Sequence, residues 1–202
     1  MMKKFVLCAA VAAVMVLGAC SSVPKVQRVD AAAQVDLSGY WNDSDVRIVC
    51  NALIQDCLNS ARVAQAISAK GGTPAVLVGA FKNDSSEHID TELISKTMET
   101  AIFNSGMLDF VAGGGVREEL RAERADQQLN ASEATAAKLG AETGADFLLT
   151  GSVKTVIDKA GNQEVRTYWV NAELTNIATN ARMWMGENNE IKKLVTRPKN
   201  KL

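Results

Sequence analysis

The strongest constraint on the fold is a pair of long strand-like segments near the C-terminus that a tight turn connects. Residues 146–157 (DFLLTGSVKTVI) are rich in β-branched side chains, and residues 163–177 alternate apolar with polar side chains, although imperfectly. Residues 158–162 (DKAGN) have the composition of a turn. This arrangement predicts an antiparallel hairpin. Another turn is predicted at residues 178–180, and a third strand that begins at Ala181 and extends towards Leu194 completes the predicted meander.

Helix-like and strand-like segments alternate before the hairpin. Apolar residues recur every three or four positions from Val46 to about Ala69, so this stretch predicts one amphipathic helix. Acidic residues suit its start at residues 43–45, and the Gly-Gly-Thr-Pro sequence at residues 71–74 ends it. A short apolar run at residues 75–81 then predicts a buried strand.

A second helix is predicted to begin at Asp90 and to end at Gly106. Its predicted apolar face consists of Leu93, Ile94, Met98, Ala101 and Ile102. The elements predicted after it are a strand at residues 108–112, a charged helix at residues 116–128 with Val116 and Leu120 facing inward, and a short helix from Ser132 to about Gly144.

These elements predict the α+β class. We expect a single globular domain, residues 37–202, that closes on an antiparallel C-terminal meander. About 165 residues are enough for one hydrophobic core. The basic tail at residues 196–201 is predicted to fray.

The first twenty residues are predicted to direct export rather than to join the fold. Lys3 and Lys4 precede 13 uninterrupted apolar residues at positions 5–17. A membrane span takes about 20 such residues, so this segment reads as a secretory signal. The sequence Leu-Gly-Ala-Cys at residues 17–20 resembles the bacterial lipobox, in which the cysteine is lipidated and becomes the new N-terminus.

The lipobox resemblance implies a signal peptide at residues 1–19 and a lipid anchor on Cys20. Residues 20–36 are small and polar, and they predict a tether between the anchor and the domain. An aspartate after the lipidated cysteine tends to retain lipoproteins in the inner membrane. Ser21 at that position therefore implies the outer membrane, with the domain facing the periplasm.

The sequence predicts no catalytic centre, metal site or cofactor. Its single histidine, His88, lies in a polar stretch without the signature of an activated nucleophile. Three glycines at residues 113–115 follow a predicted strand but lack the phosphate-loop patterns. A formal net charge of −1 gives no basic face for nucleic acid. We therefore expect a protein that is not an enzyme and has no nucleic-acid partner or evident small-molecule substrate.

Two thiols remain once Cys8 is assigned to the signal peptide and Cys20 to the lipid. Cys50 and Cys57 are seven positions apart on one predicted helix. Their Cα atoms would be about 10 Å apart, too far for a disulfide bond. We interpret them as small buried side chains on the core face. An intermolecular disulfide or a redox site in the oxidising envelope is the alternative.

Five aromatic residues are candidates for partner contact, because Trp and Tyr are enriched at protein interfaces. They are Tyr40, Trp41, Tyr168, Trp169 and Trp184. Neighbouring residues of a strand face opposite sides of the sheet. One of Tyr168 and Trp169 is therefore expected in the core and the other nearer the surface. A purely structural role in the core is the alternative for all five.

Four stretches of the chain are together similar to one protein family. They are the lipobox, LSGYWNDSD at residues 37–45, AKLGAETGADFLLTGS at residues 137–152, and WMGE with IKK at residues 184–187 and 191–193. By these stretches the chain resembles the LpoB family, outer-membrane lipoproteins that activate penicillin-binding proteins. The similarity covers nearly all of residues 37–195. The Gly-Ala-Asp passage is shared with the curli-secretion lipoprotein CsgG and its relatives, so it marks a CsgG-like superfamily.

The resemblance implies a mixed sheet with its antiparallel C-terminal meander packed by helices, similar to the N-terminal domain of TolB, without catalytic residues. It also implies a lipoprotein that regulates peptidoglycan synthesis by binding and activating a penicillin-binding protein from the outer membrane. A CsgG-like structural or secretion accessory that oligomerises at the outer membrane is the alternative. The tether departs from the family pattern of a long proline-rich segment, because its 16 residues after Cys20 extend at most about 55 Å.

Overall fold

The structure is a computed structural model that describes residues 26–130 and 144–198. The predicted signal peptide, Cys20, nearly all of the helix predicted from Ser132 and the end of the C-terminal tail lie outside the described residues. The chain divides into two units, Met1–Ala33 and Gln34–Leu202. In the first, the Asp30 carboxylate accepts a hydrogen bond from the backbone N–H of Ala32. The second unit takes in residues 34–36, the end of the predicted tether.

Four helices and six strands make up the second unit in its described residues. The helices are α1 (Asp43–Leu58), α2 (Ala61–Lys70), α3 (Thr91–Ser105) and α4 (Gly114–Asn130). The strands are β1 (Ala75–Asn83), β2 (Asp109–Phe110), β3 (Phe147–Ala160), β4 (Gln163–Asn176), β5 (Arg182–Asn188) and β6 (Lys192–Thr196). This arrangement confirms the predicted α+β class.

The single helix predicted from Val46 to Ala69 is wrong, since the structure breaks it into α1 and α2. Asn59 caps α1, and Ser60 takes an extended conformation (φ −66°, ψ 128°) before α2 begins. Asn and Ser compete with the helix backbone through their own side chains, so they favour helix ends. The apolar period continues across the break, which is why the sequence reads as one helix.

Side-chain caps fix the starts of α1 and α3. Asn42 accepts from the backbone N–H of Asp45, and the Asp45 carboxylate accepts from the N–H of Asn42, which is a capping box. Asp90 accepts from the N–H groups of Glu92 and Leu93, as predicted for a helix beginning there. Gly106 ends α3 in the left-handed conformation, with φ of 65°.

The sheet is mixed, with the strand order β2-β1-β3-β4-β5. β1 pairs in parallel with β2 and β3, whereas β3, β4 and β5 form the predicted antiparallel meander. The third predicted strand is divided into β5 and β6, which pair with successive halves of β4. Between them the Asn188 side chain accepts from the Glu190 N–H, and Ile191 turns into the core.

The core lies between α1, α3 and one face of the sheet. From Glu164 to Leu174, β4 alternates between buried even-numbered and partly exposed odd-numbered residues. Leu93, Val116 and Leu120 are exposed, which corrects their predicted inward positions. No described helix or strand packs against α4, so nothing there covers Val116 and Leu120. In the described ranges, no helix has the length and apolar character needed to cross a membrane.

Candidate interaction surface

The hairpin of β3 and β4 extends beyond the helices at its turn end. Each strand has 14 residues, which corresponds to about 45 Å. We call residues 154–169 the hairpin tip. On the face that continues the core, the tip is covered by the loop containing Glu87 and by residues 36–42 instead of a helix. On the opposite face, no described residue of a helix lies over it.

The core-side face of the tip carries a buried group of charges. The Arg166 guanidinium forms ion pairs with Glu87, at 2.9 Å, and with Glu164. These side chains are at most 8% exposed. Lys159 and Arg197 each approach the other Glu164 oxygen at 3.2 Å. Burial opposes ionisation of Glu164, but the hydrogen bonds and positive charges of Arg166 and Lys159 together outweigh it and lower the pKa of Glu164. Two carboxylates and an arginine can be buried here because they pair with one another.

Tyr168 connects this charged group to the segment that opens the domain. Its hydroxyl lies 2.9 Å from both carboxylate oxygens of Glu87 and 3.1 Å from the carbonyl oxygen of Gly39. Tyr168 is fully buried, and burial together with the Glu87 carboxylate raises its pKa. The phenol therefore stays protonated and acts as a hydrogen-bond donor.

Tyr40 and Trp41 hold the opening segment against the same face. The Tyr40 ring lies 4.1 Å from Cζ of Arg166, within the range of a cation–π contact. The Trp41 and Tyr168 ring centroids are 5.2 Å apart. Lys193 donates to the Tyr40 carbonyl at 2.8 Å and pairs with Asp36 and Asp45 at 2.8 and 2.6 Å. The Val195 side chain packs directly against the backbone of Gly39, where a Cβ atom on residue 39 would collide with it.

The structure thus brings three of the five aromatic candidates together and separates two. Tyr40 is 54% exposed, Trp41 is partly buried and Tyr168 is fully buried. Trp169 lies on the opposite face of the sheet and is partly exposed, as alternation requires. Trp184 is buried beside α1, where its Nε1 donates to Asp56 at 2.8 Å. Among these residues, only Tyr40, Trp41 and Trp169 offer surface to a partner.

The outer face of the tip carries apolar residues that the sequence analysis did not select. Val156 and Leu194 are 57% and 63% exposed, and Val165 is partly exposed beside Leu194. In the sequence these residues are part of a period-two alternation, but the alternation alone does not show which set of residues faces outward. That becomes clear only from the register of the strands and the identity of the buried face.

The other groups singled out in the sequence do not form a reactive centre. His88 is exposed in the loop before α3. Cys50 and Cys57 are buried and not in a disulfide, which confirms their interpretation as core thiols, and burial raises the pKa of each to about 12. Their thiolates are therefore scarce at neutral pH. The described residues contain no group of His, Cys, Asp and Glu side chains that could bind a metal ion.

The fold and this surface define a small α+β domain whose polar clusters are structural. The chain belongs to the LpoB family, described as peptidoglycan-synthase activators, whose family model matches residues 45–190. The match covers α1 to β5 and confirms the resemblance found in the sequence. No curated protein matches the chain significantly.

The solved structures to which the chain is similar include two LpoB domains. The LpoB C-terminal domain from Escherichia coli is 18% identical, covers 67% of this chain and 93% of its own, and has a TM-score of 0.37. The same domain from Salmonella enterica is 19% identical with the same coverage and a TM-score of 0.35. Lipoprotein GNA1162 from Neisseria meningitidis is 19% identical over 63% of this chain and 88% of its own, with a TM-score of 0.40. The family assignment rests on the sequence match rather than on these values.

Proposed function

We propose that this protein is a periplasmic lipoprotein, anchored in the outer membrane, that binds and activates a penicillin-binding protein. The observation that carries the proposal is the family match over residues 45–190. The family is one of regulatory activators rather than enzymes. An exposed His88 and buried, protonated thiols at Cys50 and Cys57 support a role through protein contact instead of catalysis.

The test of activation is a glycan-chain polymerisation assay. Each bifunctional penicillin-binding protein of the same organism is assayed alone and with the full-length chain in detergent. We expect the chain to bind one synthase and to raise its rate of polymerisation. Unchanged rates together with no binding to any of these synthases would refute the proposed function. A large ring in a native mass measurement would instead favour the oligomeric accessory role.

The anchor is tested separately, because activation and lipidation are independent parts of the proposal. Cells that express the chain are fed an alkyne-bearing fatty acid, and the labelled protein is followed through membrane fractionation. We expect label in the outer-membrane fraction, and we expect Cys20→Ser to abolish it. Cys8→Ser is the matched control and should keep the label, since residue 8 lies in the predicted signal peptide. Equal labelling of both variants would exclude Cys20 as the lipid site.

A further inference from the structure

The outer face of the hairpin tip is apolar where a solvent-facing strand surface is usually polar. We name this surface the tip patch. Its members are the apolar residues Val156, Val165, Trp169 and Leu194 and the basic residues Lys154 and Lys192. The aromatic side chain and the three aliphatic ones lie on three adjacent strands. Scattered single apolar residues at a surface need no explanation, but a contiguous set marks an interaction site.

The sheet register brings these side chains together. Trp169 pairs with Lys154 across β3 and β4, and Thr167 pairs with Val156 on one side and Lys192 on the other. Val165 pairs with Leu194. Directly paired residues of an antiparallel sheet project their side chains from the same face, with Cβ atoms about 5 Å apart. The six side chains therefore form one continuous surface.

The tip patch has no covering element in the described parts of the chain. The segment of residues 36–42 is committed to the opposite face by Lys193 and by the Tyr168 hydroxyl. The helices α1 and α2 contact β4 or β5 on the core side. Leu194 and Val156 consequently retain more than half of their exposure. Only a bound partner would remove these two side chains from water and gain the free energy of burying them.

The charges within the tip patch itself favour an acidic partner. Lys154 and Lys192 are exposed, and neither forms an ion pair within the described residues. Two exposed carboxylates lie on the same sheet face: Asp158 beside Val165, and Glu187, which pairs with Asn171 two positions from Trp169. Two free ammonium groups at the border of an apolar centre complement a surface that is apolar in the middle and carries carboxylates around it.

We propose that the tip patch is the docking site for such a partner, with Trp169 and Leu194 as its anchors. The inference rests on the proposed function, so the partner is the peptidoglycan synthase that this chain activates. Trp is the residue type most enriched among those that dominate binding energy. Trp169 is also held rigidly, because its strand is paired on both sides.

The experiment measures binding and activation of the synthase by full-length variants in detergent. Trp169→Ala and Leu194→Asn should each weaken binding about tenfold and lose activation in proportion. Met185→Asn is the matched control, since Met185 is 62% exposed on the same sheet face but lies outside the tip patch. It should bind as the unaltered chain does. Unfolding midpoints equal to that of the unaltered chain show that each variant is folded.

A charge reversal tests the acidic character of the partner. Lys192→Glu should weaken binding and reduce its dependence on salt, whereas Lys82→Glu, at an exposed lysine outside the tip patch, should change neither. A photo-reactive residue at position 194 should capture the synthase in intact cells.

The outcomes separate this inference from the proposed function. If the unaltered chain neither binds nor activates any synthase, the proposed function fails. If it does both, and Leu194→Asn and Trp169→Ala behave like Met185→Asn, the tip patch is not the docking site although the function stands. Capture of a second copy of this chain, or of lipid, from position 194 would also overturn the inference.

Discussion

The two halves of β4 place polar and apolar side chains in opposite ways. In the half that faces α1, the buried residues are Val170, Ala172 and Leu174. In the half at the hairpin tip, the buried residues include Glu164 and Arg166, while Val165 and Trp169 face outward. What covers each half determines the difference. A helix supplies an apolar surface, whereas the loop at Glu87 and residues 36–42 supply carboxylates and carbonyl groups.

Within this one strand, therefore, the buried residues are apolar in one half and charged in the other. Apolar residues beneath a helix gain stability from removal of their surface from water. Charged residues beneath a loop stabilise the fold only when every charge is paired, since an unpaired buried charge lowers the free energy of unfolding. The stability of the tip should therefore depend on each member of its charged group.

The largest effect is expected from Arg166→Met. The substitution leaves the buried Glu87 and Glu164 carboxylates without their common partner. We expect the free energy of unfolding, measured by urea denaturation, to fall by about 3–5 kcal/mol. Arg182→Met is the control, because Arg182 pairs with Glu173 at 3.2 Å but its side chain is 62% exposed. That variant should lose less than about 1 kcal/mol. Equal losses would mean that the buried group contributes no more than a surface pair.

A smaller effect is expected from Tyr168→Phe. The ring remains packed against Trp41, but Glu87 loses the hydroxyl that lies 2.9 Å from its oxygens. A hydrogen bond to a charged group contributes about 1.5–3 kcal/mol, and we expect a loss of that size in urea denaturation. Trp169→Phe, one residue away on the outer face, should change stability by about 0.5 kcal/mol or less. A larger loss for Trp169→Phe than for Tyr168→Phe would reverse the assignment of the two faces.

The elements with a regular local pattern could be predicted from the sequence. The hairpin was predicted at residues 146–157 and 163–177 and lies at Phe147–Ala160 and Gln163–Asn176. Capping chemistry likewise located α3 between Asp90 and Gly106. The break at Asn59 and Ser60 was missed because both residues lie outside the apolar stripe, so the period passes over them.

The candidate surface was less predictable because distant residues create it. Arg166 pairs with Glu87, which lies 79 positions earlier in the chain, and stacks on Tyr40, 126 positions earlier. Without these contacts, polar residues at 164 and 166 make the alternation of β4 look imperfect. The same reversal hid the tip patch, since Val156 and Leu194 read as core residues until the buried face of the hairpin is known.

The smallest and most specific prediction compares two Lys–Asp pairs, one at each end of the hairpin. Asp146 precedes β3, accepts from Lys70 and from the Ala75 N–H, and is about one-third exposed. The Lys70 hydrogen bond, and then the Ala75 N–H, lower the pKa of Asp146. Asp45 pairs with Lys193 near the tip and is almost fully buried. Burial prevails over Lys193 there and raises the pKa of Asp45.

The opposite pKa shifts predict opposite dependences of stability on pH. A lowered pKa in the folded state means that Asp146 stabilises the fold above its unfolded pKa, near 3.8, and that this stabilisation is lost as pH falls through the folded pKa. A raised pKa in the folded state means that Asp45 stabilises the fold most below its unfolded pKa, and that this stabilisation is lost as pH rises through the folded pKa.

Asp146→Asn should therefore lower the free energy of unfolding by up to about 1 kcal/mol at pH 7 and by progressively less below pH 4. For Asp45→Asn, the cost relative to the unaltered chain should instead grow as pH falls from 7 to 3. Urea denaturation of both variants across this range measures the two slopes. Slopes of the same sign would contradict the different environments of these two carboxylates, one about a third exposed and the other buried.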